Sequence, residues 1–292
     1  MQGPSSARAE ARDVNEEAVL TPLATVSSRE GIEPLAARLL DLRAWLGDDL
    51  ASLEDALQRL EETSPGGGLP GQRVRRAAQH LLGLPGKRIR PLCVLLAARL
   101  GGRVMDAGLR DLAVACELVH AATLLHDDVI DDSRERRGAP AARVLFGNSA
   151  SILAGDHLLV EALRLVQGTG HGALLSDLLD VIARMVAAEA LQLERRGSFQ
   201  PDRGIYLEVI RGKTAALFGW GLRAGGTVAG LSADALAALE QVGLSLGMAF
   251  QLVDDVLDLE GDPQVTGKEA LVDVREGKLT WPVILASERD GA

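Results

Sequence analysis

The chain has 292 residues, 47% of them hydrophobic and 25% charged, with a net charge of −10. That length and apolar content suit a soluble globular protein with a large core, and the acidic balance argues against a general nucleic-acid binder, which needs a basic face. An acidic chain that handles anions must do so through local basic clusters or metal ions, and the sequence carries features of both kinds.

Residues 1–30 are polar, small and aperiodic, and are expected to form a disordered tail. They lack the apolar stretch of a signal peptide. No run of about 18 apolar residues follows, so no membrane span is expected and the default location is cytoplasmic. Cys93 and Cys116 sit in apolar, helix-like stretches, which suits core thiols in a reducing compartment. From Ile32 to Glu62, the residues Leu35, Leu39, Leu42, Leu46, Leu50, Leu53, Leu57 and Leu60 recur at helical spacing. A breaker-rich loop begins at Ser64. Helical patterns then cover about 72–83, 88–100, 108–126, 150–167, 173–194, 204–225, 232–258 and 278–288. Strand signals are nearly absent, and no fixed-period repeat is visible. The expectation is an all-α chain: a single large helical bundle around a central apolar cavity, forming one domain over 31–292.

Two apolar helical stretches end in the same acidic pattern. Leu118–Asp132 reads LVHAATLLHDDVIDD and Met248–Asp262 reads MAFQLVDDVLDLEGD. Each contains Asp-Asp-x-x-Asp: Asp127, Asp128 and Asp131, then Asp254, Asp255 and Asp258. Helix positions i and i+4 lie about 40° apart, so the first and last aspartate of each set share a face. Clustered carboxylates repel one another and oppose the dipole at a helix C-terminus. A hard cation removes that cost, and magnesium binds through one or two carboxylates together with substrate phosphates. One such cluster alone reads equally well as a solvated acidic helix end; the repeat of spacing and context favours metal binding.

Of the 31 basic residues only four are lysines, and each lies in a glycine-containing motif. Gly86-Lys-Arg-Ile-Arg-Pro91 sets Lys87, Arg88 and Arg90 at the start of an apolar helix, where anions are favoured. Arg136 and Arg137 follow the first acidic cluster. Arg211-Gly-Lys-Thr-Ala215 offers Lys213 and Thr214 without the strand and upstream glycine of a P-loop. Gly267-Lys268 and Gly277-Lys278 flank the segment after the second cluster. Metal on one side of a diphosphate and cationic side chains on the other is the chemistry this alternation suits. His120 lies about two turns before Asp127 on nearly the same face; a diphosphate donor and a satisfied buried histidine fit its spacing equally. His126 is placed for a supporting role beside the cluster. His80, His157 and His171 read as structural. No His/Cys set has zinc spacing, and no Ser-His-Asp arrangement is visible.

Taken together, GKRIRP (86–91), HDDVID (126–131), RRG (136–138), GKT (212–214), FQLVDDVLD (250–258), GDPQVTGK (261–268) and DVREGKLTWPVI (273–284) resemble the trans-isoprenyl diphosphate synthases, or polyprenyl synthetases, from about Leu35 onward. The resemblance implies an isoprenoid-synthase bundle that elongates an allylic diphosphate with isopentenyl diphosphate, working as a homodimer. It implies isopentenyl diphosphate binding by Lys87, Arg90, His120 and Arg137. The allylic diphosphate would be held by Arg136, Lys213, Thr214, Gln251, Lys268 and Lys278. Asp127, Asp131 and Asp254 would be the main ligands of about three magnesium ions per site, assisted by Asp128, Asp255 and Asp258. The allylic C–O bond ionises, the isopentenyl double bond attacks the cation, and the departing diphosphate takes the proton, so no side-chain base is needed. Val119, Ala122 and Thr123, on the helix before Asp127, are small or medium, and the aspartate motif has no insertion. Both features imply a product longer than farnesyl diphosphate: geranylgeranyl at least, and further elongation beyond that.

The chain departs from the family pattern at Ala187-Ala-Glu-Ala-Leu-Gln192, where Glu-Gly-Glu-x-x-Gln is usual, and at Glu269–Val272 after Lys268. Family members continue with further helices past Pro282, so C-terminal truncation is expected. Two rival readings are a class I terpene cyclase and a non-catalytic subunit of a heteromeric synthase. The first would carry a second metal motif built on Asn, Ser and Glu, and an aromatic pocket, against 3% aromatic residues here. The second would have lost aspartates or lysines, and none is missing.

Overall fold

In the computed structural model the described residues are 20–29, 31–62, 71–260 and 271–290. Lys268 and most of the expected N-terminal tail lie outside them. The exception corrects the expectation for the tail: Leu20–Arg29 forms a helix, α1, whose Leu20 and Ala24 are buried. Two buried apolar residues on a ten-residue stretch leave too little periodicity to read without the partner that covers them.

The chain is all-α, as expected, and its residues fall into two compact units. The first comprises the described residues between 20 and 95 and residues 105–165. Here α1 packs on α2 (Glu33–Glu62), which also contacts α3 (Gln72–Leu82). The helix α4 (Ile89–Leu100) begins in this unit, and α5 (Ala107–Ile130) is its most buried helix. Leu109, Leu112, Leu118 and Leu125 of α5 and Leu46 and Leu53 of α2 are completely buried. Asp106 caps α5, its carboxylate accepting from the Leu109 amide at 2.9 Å. A short hairpin, β1 (Glu135–Arg136) and β2 (Ala139–Pro140), then leads to α6 (Ala142–Phe146) and α7 (Asn148–Gly168).

The second unit comprises residues 96–104 and the described residues between 166 and 290. It holds α8 (Gly172–Arg195), α9 (Arg203–Ile210), a π-helical turn at Arg211–Ala215, α10 (Ala216–Val228) and α11 (Ala233–Glu260), then α12 (Val272–Arg275) and α13 (Trp281–Asp290). α10 is buried on nearly every side. It lies close against α11 because both present glycine: a Cβ on Gly243 would sit 2.7 Å from the Gly219 Cα, and one on Gly247 2.5 Å from the Ala215 Cα. That approach brings the Arg211–Ala215 turn beside the C-terminal half of α11. The stretch Ala233–Leu259 is long and apolar enough to cross a membrane, with a mean hydropathy of 1.4. It is interrupted by Glu240, which is paired with Arg223 of α10 at 3.2 Å.

Candidate active site

Each unit carries one aspartate cluster on one long helix. In the first, α5 ends in a Schellman closure: the Ser133 amide donates to the Asp128 carbonyl at 2.9 Å and the Asp132 amide to the Val129 carbonyl at 3.4 Å. Asp132 takes the left-handed position, with φ +53°. Asp128 points inward and is completely buried. Its Oδ1 accepts from Arg136 Nε at 2.9 Å and also from Nη2, while its Oδ2 has no hydrogen-bond partner. Asp127 and Asp131 are half-buried.

The hairpin returns Arg136 to Asp128. Its two turn residues, Arg137 and Gly138, have φ of +53° and +75°, as a two-residue type I′ turn requires. Arginine at the first of these positions is sparsely tolerated, and Arg137 donates to the Leu84 carbonyl at 3.4 Å, beside Gly86. A Cβ on Gly86 would fall 2.7 Å from Arg137 Nη1, so glycine there admits the guanidinium. No strand signal marks the hairpin in the sequence because strands of two residues cannot alternate.

His120 sits in this basic neighbourhood. Burial, then Arg90, Arg137, Arg136 and Arg88 in that order, hold its pKa well below the usual value, so the ring is neutral. Arg90, His120 and Arg137, expected to bind one diphosphate, are thus brought together, with Lys87 exposed nearby in sequence. Arg88 is spent on structure. It is buried, with φ +47°, and donates to Glu54 at 3.0 Å, Glu117 at 2.6 Å and the Leu82 carbonyl at 3.2 Å. His126 turns towards α7, 3.1 Å from the Ile152 carbonyl and 3.3 Å from Asp156, packed where a Cβ on Gly155 would stand. His80 bonds the Pro140 carbonyl at 2.8 Å, a structural contact.

In the second unit, Asp255 is the buried member, 3% exposed. Its Oδ2 accepts from the Tyr206 hydroxyl at 2.6 Å and the Trp281 amide at 3.0 Å, and its Oδ1 from Gln251 Nε2 at 2.9 Å. Asp254 and Asp258 are half-buried. The Asp273 amide donates to Asp258 at 3.3 Å. Burial raises the Asp273 carboxyl to about 6 against the lowering effect of Lys278, with Asp258, Asp255 and Glu276 adding to the rise. Lys278 pairs with Glu276 at 2.7 Å and stands 3.9 Å from Asp273.

The π-turn resets the helix phase inside Arg-Gly-Lys-Thr-Ala, a distortion that recurs at functional sites. Lys213 reaches α8, where Gln192 accepts its ammonium at 3.0 Å and Glu189 pairs with it. Thr214 reaches α11 and donates to Gln251 Oε1 at 3.0 Å. Gln251 therefore ties Thr214 to Asp255. Gln192 and Lys278 line one small cavity with Arg195, Arg196, Val209 and Ile284.

Among the described residues no three or more acidic, histidine or cysteine side chains converge to hold a metal ion. The donors nonetheless fit magnesium, which takes few protein carboxylates and fills its sphere with water and phosphate oxygens. All are hard oxygens, the outer aspartates are reachable, and buried Asp128 keeps an oxygen without a hydrogen-bond donor. Sequence reading missed Tyr206, the Trp281 amide, Glu189, Gln192 and Asp273. Glu189 and Gln192 left a trace as the surviving residues of a motif that departs from the family pattern, and Asp273 and Trp281 stand in the DVREGKLTWPVI stretch without a role assigned to them.

Residues 71–292 match the polyprenyl synthetase family. The chain is 36% identical over 249 residues to a heptaprenyl diphosphate synthase component 2 of Geobacillus stearothermophilus, covering 85% of this chain and 76% of that one. It is 38% identical to a nonaprenyl diphosphate synthase of Mycobacterium tuberculosis, over 73% of this chain and 63% of the relative. Among solved structures it resembles a decaprenyl diphosphate synthase from Rhodobacter capsulatus, with a TM-score of 0.77 and 40% identity, over 85% of this chain and 75% of the other. A polyprenyl synthase from Caulobacter crescentus, complexed with calcium and isoprenyl diphosphate, gives 0.78 and 39%, over 86% and 74%. The chain belongs to the polyprenyl synthetase family.

Proposed function

We propose that the chain is a prenyltransferase that condenses an allylic diphosphate with isopentenyl diphosphate in trans, as a homodimer, to give geranylgeranyl or longer polyprenyl diphosphate. The observation that carries this reading is the shared build of the two aspartate clusters: one carboxylate buried and anchored, with two half-buried carboxylates flanking it on the same helix. Asp127, Asp131 and Asp254 are the residues that would hold magnesium. When bound, the metal supplies Lewis-acid stabilisation of the leaving diphosphate. The calcium and isoprenyl diphosphate in the Caulobacter relative support a hard divalent cation and this substrate class.

The chain's own residues then divide the work. Arg90, His120 and Arg137, with Lys87, bind isopentenyl diphosphate; neutral His120 donates one N–H while the arginines carry the charge. Lys213, held by Glu189 and Gln192, and Lys278, held by Glu276, present ammonium groups to the allylic diphosphate. Lys268 and Arg136 join them in this reading. Thr214 and Gln251 hold the turn against Asp255. The proton lost after condensation goes to the departing diphosphate.

The product reading rests on α5. Val119 and Ala122 are 1% exposed, Thr123 bonds its own helix through the His120 carbonyl at 2.8 Å, and none of the three is aromatic. The heptaprenyl, nonaprenyl and decaprenyl names of the relatives support a long product. Incubation with magnesium, labelled isopentenyl diphosphate and farnesyl diphosphate, followed by sizing of the products, tests the whole reading. Chains longer than farnesyl are expected, none of them formed in EDTA, and Ala122→Phe should shorten them. Full activity in EDTA, or no elongated product, would sink it.

A further inference from the structure

Tyr206 is the single tyrosine of the chain, and its hydroxyl is committed to one acceptor. The residue is 8% exposed and donates to Asp255 Oδ2 at 2.6 Å, a short bond of the charge-assisted kind. Burial pushes the phenol pKa up, and the bond to Asp255 pushes it further, so the hydroxyl keeps its proton. The ring is fixed independently. It stacks on Trp281 at 5.4 Å between centroids, with the Arg203 guanidinium 5.2 Å from the Trp281 ring, and packs with Ile210 and Ile284. The hydroxyl can therefore be removed while the ring's packing stays.

What the bond holds is more than Asp255. The same Oδ2 accepts the Trp281 amide at 3.0 Å, and Trp281 opens α13 just after Lys278. The other oxygen accepts Gln251, which is bonded to Thr214 of the π-turn. One buried carboxylate thus joins α9, α11, the π-turn and the Lys278 segment. Successive helix residues are about 100° apart, so fixing Asp255 inward also fixes the directions of Asp254 and Asp258. Every donor to Asp255 is neutral. Without the Tyr206 hydroxyl, Oδ2 keeps only the Trp281 amide and the carboxylate is less firmly held.

We propose that Tyr206 is a positioning residue of the second aspartate cluster: its bond to Asp255 sets the directions of Asp254, Asp258 and Lys278, and so sets the cluster's uptake of divalent metal and of the allylic diphosphate. This rests on the prenyltransferase reading above and names a residue that the reading does not need. The effect belongs to the allylic side alone, because every link of the network lies in the second unit, while Arg90, His120 and Arg137 lie in the first.

Two measurements test it. In Tyr206→Phe, the magnesium concentration for half-maximal activity and the allylic KM should each rise about tenfold or more, the lower end of the worth of one hydrogen bond to a charged group. The isopentenyl diphosphate KM should stay within about twofold of wild type, since its expected ligands lie in the first unit. The second measurement uses the otherwise unaltered protein. Incorporating 3-fluorotyrosine gives one fluorine signal, from residue 206. That signal should move and saturate as magnesium is added with farnesyl S-thiolodiphosphate, and should stay in place with isopentenyl diphosphate alone. A stationary signal in protein that elongates chains overturns the positioning role while leaving the prenyltransferase reading intact, as do unchanged constants in Tyr206→Phe or an equal rise in both KM values. Failure of the wild-type protein to make any elongated product removes the function and this inference together. Should Tyr206→Phe fail to fold, the fluorine signal decides alone.

Discussion

The two aspartate clusters share a sequence pattern and differ in how each buries its middle carboxylate. Asp128 is met by a guanidinium, delivered by a two-residue hairpin immediately after the helix. Asp255 is met by a phenol, an amide and a backbone N–H, drawn from three separate places in the second unit. The first cluster is compensated locally and by charge; the second is compensated by dipoles alone, two of its three donors coming from distant parts of the chain. The difference shows in the surroundings. Burial, reinforced by four arginines, holds the His120 pKa down in the first unit, whereas burial, opposed by Lys278 and reinforced by three carboxylates, raises that of Asp273 to about 6 in the second. One motif spelling therefore covers two electrostatic designs, and a variant of one cluster is not a copy of the same variant in the other.

The largest expected effect ignores that difference. Asp127→Ala and Asp254→Ala each remove a half-buried outer carboxylate, and turnover should fall about a thousandfold or more in both, because several kcal/mol of leaving-group stabilisation go with the metal. Helical circular dichroism should stay intact, since neither is the anchored member of its cluster. A fall below tenfold in either variant would remove that cluster from the chemistry.

The next effect separates the clusters. Arg136→Met strands Asp128 as a buried, unpaired carboxylate, at a cost of about 3–5 kcal/mol. Adding Asp128→Leu should recover most of that stability, though not activity, because an apolar pair replaces a buried ion pair at little net cost. Calorimetry of the single and double variants checks this; a double variant no more stable than Arg136→Met would mean that Arg136 contributes through packing and not through Asp128.

The sequence showed the periodic helices and the outer shape of the site well, and the anchors poorly, for a physical reason. Asp127, Asp131, Asp254 and Asp258 are recognisable because their spacing is set by one helix turn, a local property. Tyr206 and the Trp281 amide meet Asp255 across 49 and 26 residues of chain, and a backbone N–H leaves no mark in a sequence. Arg88 read as one of three equivalent basic residues until Glu54 and Glu117 were seen to hold it. The π-turn was hidden because it keeps helical residue preferences while changing phase. The helix at Leu20–Arg29 was missed because its burial depends on α2.

The smallest expected effect is the pH dependence of stability in the metal-free protein, and it separates the units by sign. His120 has a folded pKa below its usual 6.5 because of burial and then Arg90, Arg137, Arg136 and Arg88. The unfolded chain binds that proton more readily, so stability is lost as pH falls through about 6.5. Asp273 has a folded pKa of about 6 against an ordinary 3.8, from burial and from Asp258, Asp255 and Glu276, opposed by Lys278. Here the folded chain binds the proton more readily. Stability is therefore gained as pH falls from about 6 to about 4, and is absent above 6, by at most about 2–3 kcal/mol for a shift of that size. In the wild type the two contributions oppose each other between about 4 and 6. Asp273→Asn should leave the His120 contribution unopposed and steepen the acid loss of melting temperature relative to wild type. His120→Asn should do the reverse and flatten it. Every other carboxylate contributes the same slope to all three proteins, so the differences between their curves isolate these two groups. Parallel melting curves for the three proteins from pH 4 to pH 8 would mean that neither environment differs from water, and that the contrast between a cation-rich and a carboxylate-rich unit has no energetic content.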